Sequence, residues 1–266
     1  MALMPPHDIC CFQSRRVGRQ VWSFQLVDST NTLALALADD AGNDGLVLLT
    51  REQTSGRGQY GRSWTAPPGS SVLLSVLLFP PDWLRRPAIL TAWTAVSVCE
   101  TIGEVAGLQA TIKWPNDVLV RERKVCGILI EQRQGGLAGA PATVVGIGLN
   151  VQQPAAFFSA VDLPLGASLT SLSGKPLETQ VVAQRLIRQL DLAYDRLLQG
   201  DTDSLQALWQ ERLGLLGEQV VVEMFDQNKE GRLLGVGWQG VVLQEAGQTA
   251  SIAPELVRHI IPNCGT

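Results

Sequence analysis

Residues Gln53-Thr54-Ser55-Gly56-Arg57-Gly58-Gln59-Tyr60-Gly61-Arg62-Ser63-Trp64 form a glycine- and arginine-rich segment between two apolar runs, and that bracketing most restricts what the chain can become. Leu46-Val47-Leu48-Leu49 precedes it and Val72-Leu73-Leu74-Ser75-Val76-Leu77-Leu78 follows it; both read as buried strands. Gly56, Gly58 and Gly61 satisfy the spacing G-x-G-x-x-G. That dinucleotide fingerprint works where a helix opens directly after it, so that helix N-terminal amides meet the pyrophosphate. Here Pro67-Pro68-Gly69 intervene. Proline lacks a backbone donor and disfavours the α region in the residue before it. The unit is therefore strand–loop–strand, and a nucleotide-binding dehydrogenase is rejected. Glycines let a backbone wrap a ligand, and guanidinium groups grip a carboxylate or phosphate bidentately. Taken alone, the segment is equally well an ordinary surface loop.

With 266 residues, 45% of them hydrophobic, the chain can build one substantial core and a small appended domain. A net charge of -4 argues against a general nucleic-acid binder, which carries a basic face. No apolar run approaches about 18–20 uninterrupted residues, the length a spanning helix needs. Cys10, Cys11, Cys99, Cys126 and Cys264 are odd in number and contain no C-x-x-C pair, which argues against a disulfide framework or a zinc cage. The two histidines, His7 and His259, lie near opposite ends, so supply alone disfavours a histidine triad. Met1-Ala2-Leu3-Met4 is followed by prolines rather than a long apolar core, so no signal peptide is expected and the cytoplasm is the expected location.

Along the chain, residues 1–20 read as a loose lead-in. Val21–Val27 reads as a strand, Leu33–Asp39 as a helix behind the capping residues Asp28-Ser29-Thr30-Asn31, and Arg85–Val105 as a long helix. Arg121-Glu122-Arg123 reads as a hairpin turn, and Gly135-Gly136…Gly139 as a flexible connection. An irregular stretch, 152–176, precedes two more helices. From Val220 onward, four short strands with glycine-bearing turns predict a small β-barrel. The domains expected are 21–214 and 215–266, the first a mixed sheet with helices on one side.

Polar clusters interrupt these apolar elements. Lys113-Trp114-Pro115-Asn116-Asp117 puts a cation, an amide and a carboxylate at one strand end, where an alternating strand needs none of them. Lys124 leads a strand that is otherwise apolar, and Gly146 and Gly148 flank Ile147 before Asn150. Singly these are solvated lysines, an Asx-type turn and a bulge. In this order, Gln-Thr-Ser-Gly-Arg-Gly-x-x-Gly-Arg-x-Trp, Lys-Trp-Pro-Asn-Asp, Lys-Val-x-Gly-Ile-Leu-Ile-Glu and Val-Val-Gly-Ile-Gly-Leu-Asn-Val together closely resemble the biotin protein ligases, the biotin–[acetyl-CoA-carboxylase] ligases, from about Trp22 to the C-terminus.

The resemblance implies an α+β fold: a mixed sheet with helices packed on it, as in class II synthetases, plus a C-terminal SH3-like barrel. It implies an enzyme that uses ATP and Mg²⁺ to turn biotin into biotinyl-5′-AMP, then passes biotin to a lysine of the biotin carboxyl carrier protein. Matched position by position, Ser29, Thr30, Asn31 and Gln53 bind the ureido head of biotin or its surroundings. Arg57, Gly58 and Gln59 belong to the loop that folds over biotin and the adenylate, and Gly127 belongs to the biotin site. Lys124 contacts the biotin carboxylate or the acyl-phosphate oxygen, and Arg62 and Trp64 anchor the ATP side of the loop. Lys113, Asn116 and Asp117 face the phosphates, with Asp117 the candidate metal ligand, and Gly146, Gly148 and Asn150 approach the adenosine. Arg57, Lys113 and Lys124 are the expected catalytic cations. The stretch 152–167 is expected to supply part of the wall round the adenine.

Two departures from the family pattern stand out. Gln59 occupies the position where the family often has a second arginine, which implies weaker retention of the adenylate. The chain also leaves no room for the DNA-binding helix-turn-helix of some relatives, so a ligase without DNA or membrane partners is expected. Homodimers occur in the family, and the sequence does not decide between monomer and dimer. Lipoate or octanoate transfer on a related fold is the enzymatic alternative; a non-catalytic biotinyl-adenylate-binding protein is the alternative from another class.

Overall fold

The computed structural model describes residues 5–134, 141–245 and 247–263. The Gly135–Gly139 connection, Met1–Met4 and Cys264 lie outside the described residues. The elements run β1 (Asp8–Cys10), β2 (Val21–Val27), α1 (Thr30–Ala36), β3 (Val47–Gln53), β4 (Ser71–Leu78), α2 (Pro87–Ala106), β5 (Thr111–Lys113), β6 (Asp117–Val120), β7 (Arg123–Arg133) and β8 (Ala142–Asn150). After these come α3 (Ala155–Ala160), α4 (Leu169–Ser173), α5 (Thr179–Leu198), α6 (Thr202–Leu213), β9 (Gln219–Met224), β10 (Asn228–Val236), β11 (Val241–Glu245), β12 (Gln248–Ile252) and β13 (Val257–Pro262).

The first eight strands form one sheet in the order β1-β2-β3-β4-β8-β7-β6-β5. Only β2 and β3 pair in parallel, because α1 carries the chain back over the sheet between them. The central strands β4 and β8 are buried along their whole length. Their alternate residues serve two cores, as the two-residue period of a strand requires. Leu74, Val76, Val145 and Ile147 face the larger core with α2 and α5, while Leu77 and Val144 join Phe24, Leu48 and Ala34 under α1. The helices are thus not all on one side: short α1 lies on the face opposite α2 and α5.

Pro87 opens α2, a position that needs no donor, and Gly107 at φ 68° ends it. This helix is long and apolar enough to cross a membrane by length and composition, yet here most of it is buried against the sheet and α5. Its buried hydroxyls are satisfied within the helix: Thr94, Ser97 and Thr101 donate to the carbonyls of Leu90, Trp93 and Ser97 at 2.7–2.8 Å. Val182, Leu186, Leu190, Tyr194 and Leu197 give α5 a buried stripe at helical spacing.

The lead-in is not loose. Asp8–Cys10 pairs with β2, and the buried carboxylate of Asp191 on α5 accepts the amides of Arg15, Arg16 and Val17 at 2.7–2.9 Å. No local pattern signals this, because the partners are more than 170 residues apart.

The C-terminal strands form a small antiparallel sheet, β12-β11-β10-β9-β13, consistent with the expected SH3-like barrel. It has a fifth strand, β13, which the sequence reading omits. Its interior, including Val222, Leu243 and Ile260, is continuous with the larger core. Trp114 packs on Trp209 of α6 and Trp209 stacks on Trp238, each pair at 5.3 Å between ring centroids. Trp114 Nε1 also donates to Val257 O at 3.0 Å, so the Lys113–Asp117 segment is fastened directly to the barrel.

Candidate functional site

A cavity of about 440 Å³ opens where the loop between β3 and β4, the β5–β6 turn and β13 converge on β7 and β8. Every site residue expected from the sequence lines it: Ser29, Thr30, Asn31, Gln53, Arg57, Gly58, Gln59, Arg62, Trp64, Lys113, Asn116, Asp117, Lys124, Gly127, Gly146, Gly148 and Asn150. Segments as far apart as Ser29 and Asn150 are brought together because α1 crosses directly over β4 and β8.

Part of the lining is a buried set of neutral polar side chains. Ser29, Thr30 and Asn31 are each less than 5% exposed. Gln53 Oε1 accepts from the Thr30 amide at 2.8 Å and lies 3.2 Å from Thr30 Oγ1. Ser75 Oγ donates to Asn31 Oδ1 at 2.5 Å and lies 2.7 Å from Thr30 Oγ1. Asn31 Nδ2 donates to Glu131 Oε2 at 2.7 Å. The sequence reading misses Ser75, although a serine in the middle of the all-buried run Ser71–Leu78 is a legible signal. It also passes over Glu131, which closes its motif strand and holds both Asn31 and Arg57.

Four cations also line the cavity. Arg57 pairs with Glu131 at 2.8 Å and Lys124 with Asp117 at 2.6 Å, all four partly exposed to solvent. Among the described residues Arg62 and Lys113 have no ion-pair partner. An arriving anion would compete with Glu131 and Asp117 for their cations. Asn116 is committed to structure: its Nδ2 donates to Ile128 O at 2.6 Å, and its own carbonyl accepts from Ile128 N at 3.0 Å. Asn150 Oδ1 accepts from Gln153 Nε2 at 2.7 Å within a buried group that includes Ser71 and Ser168.

The glycines have immediate neighbours from within the chain. Gly127 and Gly148 are cross-strand partners, and the Trp64 indole lies over both. A Cβ on Gly127 would come 2.9 Å from that ring, and one on Gly148 would strike it. A Cβ on Gly146 would strike the Asn31 amide. Trp64 Nε1 is buried without a partner, and Lys124 Nζ stands 6.0 Å from the ring centroid.

The loop is a tight hairpin, with Arg57 bridged to Ser63 and Gly58 N donating to Arg62 O at 2.7 Å. Tyr60 sits at its tip with φ 55°, a left-handed conformation that is costly for a bulky side chain. The barrel holds it there: the Phe225 ring meets Tyr60 edge-on at 6.3 Å, and the Arg258 guanidinium lies 5.4 Å from the Tyr60 ring centroid. On the side of the stretch 152–167, Phe158, Leu163 and Leu165 form an apolar wall. No group of three or more His, Cys, Asp or Glu suited to holding a metal occurs among the described residues.

Residues 23–150 match the Biotin/lipoate A/B protein ligase family. The biotin–[acetyl-CoA-carboxylase] ligase of Mycobacterium tuberculosis is 33% identical over 267 aligned residues, covering 91% of this chain and 94% of that one. The bifunctional ligase/repressor BirA of Bacillus subtilis is 28% identical over 232 residues, 87% of this chain and 71% of that one. The biotin protein ligase from Aquifex aeolicus, solved in complex with biotin and ATP, superposes with a TM-score of 0.74 at 24% identity, covering 90% and 97% of the two chains.

Proposed function

This chain belongs to the biotin protein ligase family, and from that premise we propose that it condenses biotin with ATP to biotinyl-5′-AMP and then biotinylates a lysine of the biotin carboxyl carrier protein of acetyl-CoA carboxylase. The observation that carries the reading is the make-up of one cavity: the neutral donors and acceptors of Ser29, Thr30, Asn31 and Gln53 and the four cations Arg57, Arg62, Lys113 and Lys124 all line it. Biotin carries a counterpart for each set, a neutral ureido head and a carboxylate tail.

In the first step a carboxylate oxygen attacks the α-phosphorus of ATP and pyrophosphate leaves. Carboxylates are already ionised at neutral pH, so this attack needs no base. It needs two anions held together, which Arg57, Lys124, Arg62 and Lys113 favour by screening their repulsion. Ser29, Thr30, Asn31 and Gln53 orient the ureido head, and the Trp64 indole lines the cavity over Gly127 and Gly148. In the second step the lysine amine attacks the mixed anhydride and AMP leaves, with no covalent enzyme intermediate.

Mg²⁺ is held mostly by water and phosphates with one or two carboxylates. Asp117 suits that role as a single carboxylate beside the cations, and the ion would add further charge screening. A cytoplasmic setting goes with this reading.

Intact mass tests it. A biotin carboxyl carrier domain is incubated with the chain, ATP and Mg²⁺, with biotin in one tube and lipoate in another. One biotin added, dependent on ATP and absent with lipoate, is the expected result. A lipoyl adduct would reassign the substrate, and no adduct in either tube would overturn the reading.

A further inference from the structure

Supply alone disfavours histidine chemistry in this chain, yet the barrel carries His259 into the cavity wall. His259 stands on β13 opposite Glu223 of β9, and its Nδ1 lies 2.9 Å from Glu223 Oε2. A carboxylate on one ring nitrogen fixes the tautomer and orients the other nitrogen for proton transfer. The same strand is fastened to the phosphate side of the cavity by the Trp114 Nε1 bond to Val257. Both partners are part-exposed, with side chains 28% and 38% accessible, which suits a group that must meet a side chain arriving from outside. Of the other carboxylates lining the cavity, Asp117 holds Lys124, while Glu122 and Asp162 sit on exposed turns.

The two half-reactions differ in what they need. Carboxylate attack on the α-phosphate releases no proton, whereas aminolysis of the mixed anhydride does. We propose that His259, oriented by Glu223, is the general base of the transfer step; the inference rests on the ligase reading above. The lysine reacts as the neutral amine, and its lone pair forms the C–N bond to the biotinyl carbonyl carbon. The nitrogen gains positive charge and becomes acidic, and its proton passes to His259 Nε2. The C–O bond to the α-phosphate breaks, its electron pair leaves with AMP, and the imidazolium returns the proton to water. His259 is the catalytic residue here and Glu223 a positioning residue.

The test uses the full chain with preformed biotinyl-5′-AMP and a biotin carboxyl carrier domain under single-turnover conditions, which isolates transfer. His259→Ala is expected to transfer about 10²-fold more slowly, the usual contribution of general-base catalysis. Imidazole in the buffer is expected to restore its rate, and substituted imidazoles to restore it in the order of their basicity. Glu223→Gln is expected to lose about 10-fold, the lower end of what changing the partner behind a metal-ligating histidine costs. Undiminished transfer by His259→Ala, or a loss that no imidazole relieves, would overturn the proposal. His259→Asn serves the same comparison if the alanine variant does not fold. A wild-type chain that fails to transfer from the preformed adenylate would instead overturn the ligase reading.

Discussion

Gly127 and Gly148 face each other on neighbouring antiparallel strands, and the Trp64 indole occupies the space above them that two side chains would fill. The resemblance assigned these glycines to different ligands, one to biotin and one to adenosine. In the fold they are one platform, and its first occupant is a residue of the glycine–arginine segment. The platform therefore sets where that segment's C-terminal end lies.

Gly148→Ala is expected to lift the indole and lower kcat/KM for biotin by about 10²-fold, the cost of displacing a positioning group by about 1 Å. Steady-state biotinylation with thermal melting alongside checks it. An unchanged kcat/KM would mean that the indole's seat does not matter to the reaction.

Ser75→Ala removes the hydroxyl that Asn31 Oδ1 and Thr30 Oγ1 share in a fully buried position. Leaving buried polar atoms unpaired costs about 1–3 kcal/mol. Chemical denaturation should show that loss, and calorimetry should show weaker biotin binding, since Thr30 and Asn31 lose their orientation. Stability loss without weaker binding would confine Ser75 to the fold.

Arg57→Ala is expected to slow adenylate formation by about two orders of magnitude or more while the fold persists. Pyrophosphate exchange measures the first and circular dichroism the second. Glu131 is then left without its guanidinium but keeps Asn31, so the hydrogen bonds among Thr30, Asn31, Gln53 and Ser75 should survive. Near-normal exchange would count against Arg57 as a phosphate contact.

Gln59 contributes hydrogen bonds but no charge to the loop. Gln59→Arg is expected to slow dissociation of biotinyl-5′-AMP, followed by filtration of the preformed complex. Equal rates for the two chains would show that the loop retains the adenylate without a second arginine.

Burial pushes the Cys99 thiol up from 9.0 to about 12, and burial raises the Cys126 thiol as well. The unfolded chain therefore releases these protons first. Their contribution to stability is whole below pH 9 and is lost as pH climbs from 9 toward 12. The melting temperature should fall over that interval, and Cys99→Val should fall less steeply. Equal slopes would exclude the Cys99 thiol as a contributor.

Much of this protein was legible in the chain itself. The loop flanked by apolar runs excluded a helix after the glycines, and the structure has β3, a hairpin and β4 there. The motifs read from Ser29 to Asn150 all meet in one cavity, since each was a polar group interrupting an apolar element. Local chemistry writes such signals locally. Pairings across the fold leave no such trace. The partner Glu131 for Arg57, the Asp191 carboxylate under the amides of Arg15 to Val17, and the arrival of His259 beside Glu223 all depend on how the strands are ordered and the elements packed. The sequence by itself determined which residues break the pattern of their elements. Only the tertiary structure decided which of them line one cavity and which side chains hold one another there, because register and packing, not spacing along the chain, set those distances.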